Sequence, residues 1–148
     1  MPGRFAVRRL KRMDLDRIME IERASFGVDA YDRNLFAEFL DTCGDLFLAA
    51  ERSGKIQGYL IACRRGRRAE IVSVAVDPAC RGQGAASTLM ESALRRLRLR
   101  GVARLVLMVK ATNHPARAFY EKYAFKNVRR VRRYYEDGSD GWLMAREV

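Results

Sequence analysis

The most constraining stretch of the chain is residues 70–87. Glu70-Ile-Val-Ser-Val-Ala-Val76 is rich in β-branched residues and predicts a strand near the centre of a sheet. Asp77-Pro78 closes it, and Arg81-Gly82-Gln83-Gly84-Ala85-Ala86-Ser87 leads into a helix marked by Met90, Leu94 and Leu97 at i, i+4 and i+7. A loop so short of side chains lets backbone N–H groups approach an anion closely. The helix behind it aims its unpaired N–H groups and a partial positive charge at the same place. Arg81 adds a full charge, so the loop suits a pyrophosphate. A P-loop is excluded, because no Gly-Lys-Ser/Thr closes the run. A dinucleotide fold fits poorly: it needs a third glycine and an acid about 20 positions on, whereas the next strand ends in Val109-Lys110.

The rest of the chain predicts a mixed α/β order. Phe5 to Leu10 reads as a first strand, and Asp14 as the N-cap of a helix with Leu15, Ile18, Met19 and Glu22 at helical spacing. Gly27 breaks that helix. Asp32 caps a second, with Leu35, Phe36, Phe39 and Leu40 as its apolar stripe and Gly44 at its end. Leu46–Glu51, Ile56–Cys63 and the strand from Glu70 form an antiparallel meander, turning at Ser53-Gly54-Lys55 and at the arginine-rich Arg64–Arg68. After the glycine loop and its helix, Gly101 is a C′ residue and Val102–Val109 a strand. Asn113 caps a helix with Pro115 in its first turn and Phe119 and Tyr123 on one face; Phe125–Val131 and Trp142–Arg146 are the last strands. The expectation is one domain over 1–148. Its mostly antiparallel sheet has about seven strands flanked by about four helices, with a βαβ crossover grafted onto the meander.

Charge and cysteine content bound the partners. Lys plus Arg number 29 against 18 Asp plus Glu, a net charge of +11, in a chain of 148 residues that is 49% hydrophobic. A disordered basic tail is excluded. The charge fits an anionic partner, from nucleic acid to a phosphate-bearing cofactor to an acidic protein surface. No RNP, KH, zinc-finger or basic-zipper pattern accompanies it, so nucleic acid is not expected as a substrate. No apolar run approaches the roughly 18 residues of a membrane span, and no secretory leader precedes the first strand. The three cysteines, Cys43, Cys63 and Cys80, are odd in number and far apart. That excludes a disulfide framework or a metal knuckle and fits a reducing cytoplasm. These thiols and His114 read as ordinary packing residues, with no metal expected.

Three segments carry a family resemblance. The strand and loop Val72–Ala86 resemble the acetyl-coenzyme A (acetyl-CoA) motif of the GNAT N-acetyltransferases: an arginine or glutamine, two residues, a glycine, one residue, then glycine or alanine. Arg81, Gly84 and Ala86 fill its fixed positions. Ala111-Thr-Asn-His-Pro-Ala-Arg-Ala-Phe-Tyr-Glu-Lys-Tyr-Ala-Phe125 resembles the second family signature. Tyr134-Tyr-Glu-Asp-Gly-Ser-Asp-Gly-Trp-Leu-Met144 is similar to a segment of one branch, the protein N-terminal acetyltransferases of RimI type and their archaeal relatives.

The resemblance implies direct transfer of acetyl from acetyl-CoA to an amine, without an acyl-enzyme. It assigns Val74, Ala75 and Val76 to the thioester and pantetheine arm, and Arg81, Gly82, Gln83, Gly84, Ala85, Ala86 and Ser87 to the pyrophosphate. Asn113 and Tyr120 complete the cofactor contacts, with Tyr120 as general acid to the leaving thiolate. Phe26 and Tyr31, with Tyr134 and Tyr135, are the candidate acceptor contacts.

At one point the chain departs from that branch. Leu107-Met108-Val109-Lys110 stands where the branch carries a glutamate base, and Met108 cannot accept a proton; Glu70 is the candidate substitute. A free α-amine, with pKa near 8, is roughly one-tenth neutral at pH 7, whereas a lysine is neutral only to a few parts in ten thousand. A weak base therefore suits a protein N-terminus, with a ribosomal protein as one candidate. The alternatives are a small-molecule amine acetyltransferase, disfavoured for polycations by the +11 charge, or a non-catalytic acetyl-CoA-binding module. Monomer and homodimer both remain open.

Overall fold

A computed structural model describes residues 4–43 and 46–148. Its elements run β1 (Ala6–Arg9), α1 (Leu15–Phe26), α2 (Arg33–Cys43), β2 (Phe47–Arg52), β3 (Lys55–Arg65), β4 (Arg68–Val76), α3 (Ala85–Leu99), β5 (Arg104–Lys110), α4 (His114–Lys122), β6 (Lys126–Val131) and β7 (Gly141–Glu147). The seven strands form one sheet in the order β1-β2-β3-β4-β5-β7-β6. Among the described residues, neighbours are antiparallel except β4 and β5, which run parallel and are joined by the α3 crossover. The mixed α/β class and the βαβ centre expected from the sequence are both present.

The sheet is covered on both faces. Leu89, Met90, Ala93, Leu94 and Leu97 of α3 pack with Leu48, Leu60, Leu105 and Leu107 on one side, and α4 adds Ala116, Phe119, Tyr120 and Tyr123. On the other side Leu15, Ile18, Met19 and Ile21 of α1 join Phe36 of α2 against Phe47, Tyr59 and Ile61. Leu89 and Leu97 are fully buried, each stabilising the fold by about 1.5–3 kcal/mol. The α2 stripe is narrower than the sequence suggests: Phe36 is buried, whereas Leu35, Phe39 and Leu40 are only partly so.

Caps follow the sequence in two places and not in a third. Asp32 Oδ1 accepts from Leu35 N–H at 2.8 Å, and Asn113 Oδ1 accepts from Ala116 N–H at 3.3 Å. Asp14 holds the N-cap position of α1 but makes no side-chain cap bond. Its carboxylate instead accepts from the Arg8 guanidinium and from Lys11 N–H, both at 2.8 Å, because β1 lies within reach. Gly44, read as the end of α2, lies outside the described residues.

The cysteine reading needs a correction. Cys43 and Cys63 form a disulfide, with Cα atoms 5.0 Å apart, and both are partly exposed rather than core thiols. Their separation of 20 residues in sequence concealed that the last turn of α2 lies over the end of β3. Cys80 is free, and its Sγ–H donates to Gln57 Oε1 at 3.0 Å.

Candidate active site

The parallel pair at the sheet's centre is short. Arg68–Ile71 pair with Arg104–Leu107, and beyond that register the two strands part. The parting coincides with a bulge in β4: Ile61 faces Ser73 while Ala62 faces Ile71, so Val72 is an extra residue. The β4 edge from Val72 to Val76 thus has no strand partner on the β5 side, and its amides and carbonyls face a crevice of about 750 Å³.

The glycine loop and the start of α3 line this crevice through Arg81, Gly82, Gly84, Ala85, Ala86 and Ser87. Gly84 takes the N-cap position at φ +93°, a conformation that glycine adopts without a Cβ penalty, and no side chain caps the helix. The first-turn amides of a 15-residue helix are therefore available to an anion, with the positive end of its dipole behind them. Asp77 holds the approach in place: Oδ1 accepts from Ala79 N–H at 2.9 Å and Oδ2 from the Arg17 guanidinium at 2.7 Å. Arg81 bridges two elements, donating to the Val76 carbonyl at 3.3 Å and to Ser25 Oγ at 3.2 Å. Gln83 turns away from the crevice, and its Oε1 accepts from Arg52.

α4 forms another wall with Asn113, Ala116, Phe119 and Tyr120. The Tyr120 ring packs edge-on against Phe119 and Phe125, with centroids 5.6 and 5.7 Å away. Burial pushes its pKa well above the ordinary tyrosine value, so the phenol stays a neutral donor. The facing wall on β5 carries Met108, a thioether with no proton affinity. Gly141, opposite Lys110 on β7, gives Met108 its room: a Cβ there would come within 2.8 Å of Met108 Cε.

The acceptor-side aromatics separate. Phe26, Tyr31 and Tyr135 line the crevice; Tyr134 is half exposed outside it, its ring centroid 5.0 Å from that of Tyr135. Burial pushes the Tyr31 phenol up and that of Tyr135 up to about 12. Glu70 is exposed and does not reach the crevice. Ala69 and Ile71 face α3, so alternation along β4 turns Glu70 to the α1 side. There its charge contributes to the upward shift of Tyr31, behind burial and the larger effects of Tyr134 and Glu22.

Four residues of this site were not singled out in the sequence. Lys110 Nζ pairs with Asp29 at 2.6 Å and Asp137 at 2.9 Å and lies 5.4 Å from the Tyr135 ring centroid, linking the α1–α2 and β6–β7 loops. Asp137 and then Asp29 hold the Lys110 pKa above its ordinary value, and Lys110 holds that of Asp137 well below the carboxylate range. Glu22 is the fourth. It is 1% exposed yet borders the crevice, and burial raises its pKa against the opposing hydrogen bonds of Tyr59, Tyr31 N–H and Ser73.

Residues 15–125 match the acetyltransferase (GNAT) family. The chain belongs to the GNAT acetyltransferases. It is 31% identical over 145 residues to a putative ribosomal protein bS18-alanine N-acetyltransferase of Bacillus subtilis, covering 97% of this chain and 96% of that protein. It is also 31% identical over 157 residues to an N-alpha-acetyltransferase of Saccharolobus solfataricus, covering 97% and 93%. Among solved structures, Ard1 from Thermoplasma volcanium superposes with a TM-score of 0.95 at 26% identity, over 99% of each chain. As a GNAT enzyme the protein takes acetyl-CoA as co-substrate, and an uncapped helix start beside an unpaired strand edge fits a diphosphate joined to an amide-bearing arm. No helix of the described residues is long and apolar enough to cross a membrane, and they hold no His/Cys/Asp/Glu group that could bind a metal.

Proposed function

We propose that this GNAT enzyme acetylates the N-terminal α-amine of a peptide or protein. The observation that carries the reading is the composition of the crevice walls. Aromatic rings from the end of α1 and from two loops, Phe26 and Tyr31 on one side and Tyr135 on the other, meet the parted β4 edge opposite Met108. A wall without a strong base suits an amine that is substantially neutral near pH 7, as an α-amine is and a lysine is not. The names carried by the B. subtilis and S. solfataricus relatives support the same acceptor class.

In this reading the amides of residues 82–87 and Arg81 hold the diphosphate. Val74, Ala75 and Val76 bond the pantetheine arm and donate an N–H to the thioester oxygen as negative charge develops there. Asn113 holds an amide of the arm while capping α4. Tyr120 gives its phenolic proton to the departing thiolate. Glu70, on the acceptor face of β4, takes the amine's proton through solvent. Phe26, Tyr31 and Tyr135 bracket the first residue of the acceptor, and Tyr134 supports Tyr135 by ring contact.

The test is thiol release from acetyl-CoA with three sets of acceptors: peptides with free N-termini, the same peptides N-terminally blocked but containing lysine, and small amines. Peptides that begin with the N-terminal sequence of ribosomal protein bS18 belong in the first set. Turnover confined to free N-termini is expected. Equal turnover of blocked lysine peptides overturns the reading.

A further inference from the structure

We infer that Glu22 is a positioning residue of the acceptor site: from inside the fold it pins the Tyr31 loop to β4, and so sets where the acceptor amine meets the thioester. The inference rests on the acceptor reading above. Glu22 sits on α1 at a position that helical spacing assigns to the apolar face, among Leu15, Ile18 and Met19. A carboxylate buried there costs several kcal/mol unless its oxygens are satisfied. They are satisfied from three different elements. Oε2 accepts the backbone N–H of Tyr31 at 3.0 Å, in the loop between α1 and α2. Oε1 accepts from Ser73 Oγ–H of β4 at 3.0 Å and from the Tyr59 hydroxyl of β3.

Two of the partners, Ser73 and Tyr31, line the crevice. Ser73 directly follows the Val72 bulge, at the point where β4 leaves β5 and its edge becomes free. Tyr31 is a wall residue whose ring is backed by Phe36 and Phe39, with centroids 6.0 and 6.2 Å away. One carboxylate thus couples the strand that holds the acetyl group to the loop that holds the acceptor. The loop carries no strand hydrogen bonds of its own; Ala30 N–H donates to Gly27 O at 3.1 Å, within a 3-10 turn. The Glu22 bond follows that turn directly and sets the direction in which Tyr31 enters the crevice.

Glu22→Met removes both acceptor oxygens, and with them all three hydrogen bonds, in a similar volume, whereas Glu22→Gln keeps an oxygen for Tyr31 N–H while the two hydroxyls turn to accept from its amide. A charge-assisted hydrogen bond of this kind is worth about tenfold or more in an equilibrium. Glu22→Met is therefore expected to raise the acceptor-peptide KM about tenfold, with the Kd for CoA unchanged within about twofold. Glu22→Gln should keep the peptide KM within about threefold of the parent and keep kcat. In the parent protein, hydrogen exchange should show the Tyr31 amide protected like a sheet amide, and Glu22→Met should release it. An unprotected Tyr31 amide in the parent protein overturns the inference without any variant. So does Glu22→Met with an unchanged peptide KM, or Glu22→Gln losing kcat at constant KM, which would make Glu22 a proton acceptor. A parent protein inactive on every peptide overturns the acceptor reading, and the exchange measurement still judges the anchor.

Discussion

At position 120 the proposed acid is a phenol in the crevice wall, and its surroundings decide what it can do. Phe119 and Phe125 pack on the ring and burial raises the pKa, so the acidic form persists through neutral pH and beyond the ordinary tyrosine range. Raising the pKa extends the protonated form upward in pH, and the donor is lost only above the raised value. Tyr120→Phe keeps the packing and removes the proton. It should lower kcat by about 10²-fold or more while leaving the KM for acetyl-CoA within about threefold. In the parent protein the acid limb of the rate profile should follow the acceptor amine near pH 8, with no alkaline fall below pH 10. Steady-state kinetics across pH checks both statements. An alkaline limb near neutrality that disappears in Tyr120→Phe would remove this residue from the role of acid.

At the scale of elements, the decisive piece is the turn from β4 into α3. Gly84 lies at φ +93°, and a Cβ built there meets nothing within 4 Å. Substitution by alanine therefore costs backbone strain alone, about 1–2 kcal/mol, and relief of that strain rotates the amides that face the crevice. Gly84→Ala should lower Tm by roughly 3–8 °C and weaken CoA binding several-fold by titration calorimetry. Gly54→Ala is the control, because Gly54 has φ +76°, has equally open surroundings and lies in the β2–β3 turn. It should show the thermal loss with no change in CoA affinity. Equal CoA affinities for the two variants would mean that the loop amides do not hold the coenzyme.

This element was legible in the sequence because every part of it is local: a β-branched strand, a glycine loop and a helical stripe within about 30 residues. The α4 cap by Asn113 was legible for the same reason. Glu22 was not. On a helical wheel it reads as a flaw in an apolar stripe, and its partners Tyr59 and Ser73 lie 37 and 51 residues away. The Lys110–Asp29 pair spans 81 residues, and nothing in either segment announces the other. Glu70 shows the converse. Residue type and strand position suggested a base, and Glu70 lies within the closed β4–β5 register, paired with Val106 short of the parted edge, so it stays outside the crevice lining; the Val72 bulge beyond it turns Ser73 toward Glu22.

Over the whole molecule, the two helical layers differ in how they are fastened. α3 and α4 are bound to the sheet by a continuous apolar core and by the crossover itself. α2 contributes a single fully buried aromatic, Phe36, and its last turn is tied to β3 by Cys43–Cys63. That bond closes a short loop, and on the chain-entropy account a loop of about 20 residues is worth about 3 kcal/mol. Neither sulfur borders the crevice, so the bond acts on stability and not on catalysis. The double substitution Cys43→Ser, Cys63→Ser should lower Tm by about 6–12 °C while kcat/KM for a peptide acceptor stays within about twofold. Reductant should shift the parent protein by a similar amount and the double variant not at all. The double variant removes the bond without any added reductant, and Cys80, a free thiol that does border the crevice, is the same in both proteins. Coincident melting curves for parent and variant, both without reductant, would show that the apolar contacts of α2 hold that layer unaided.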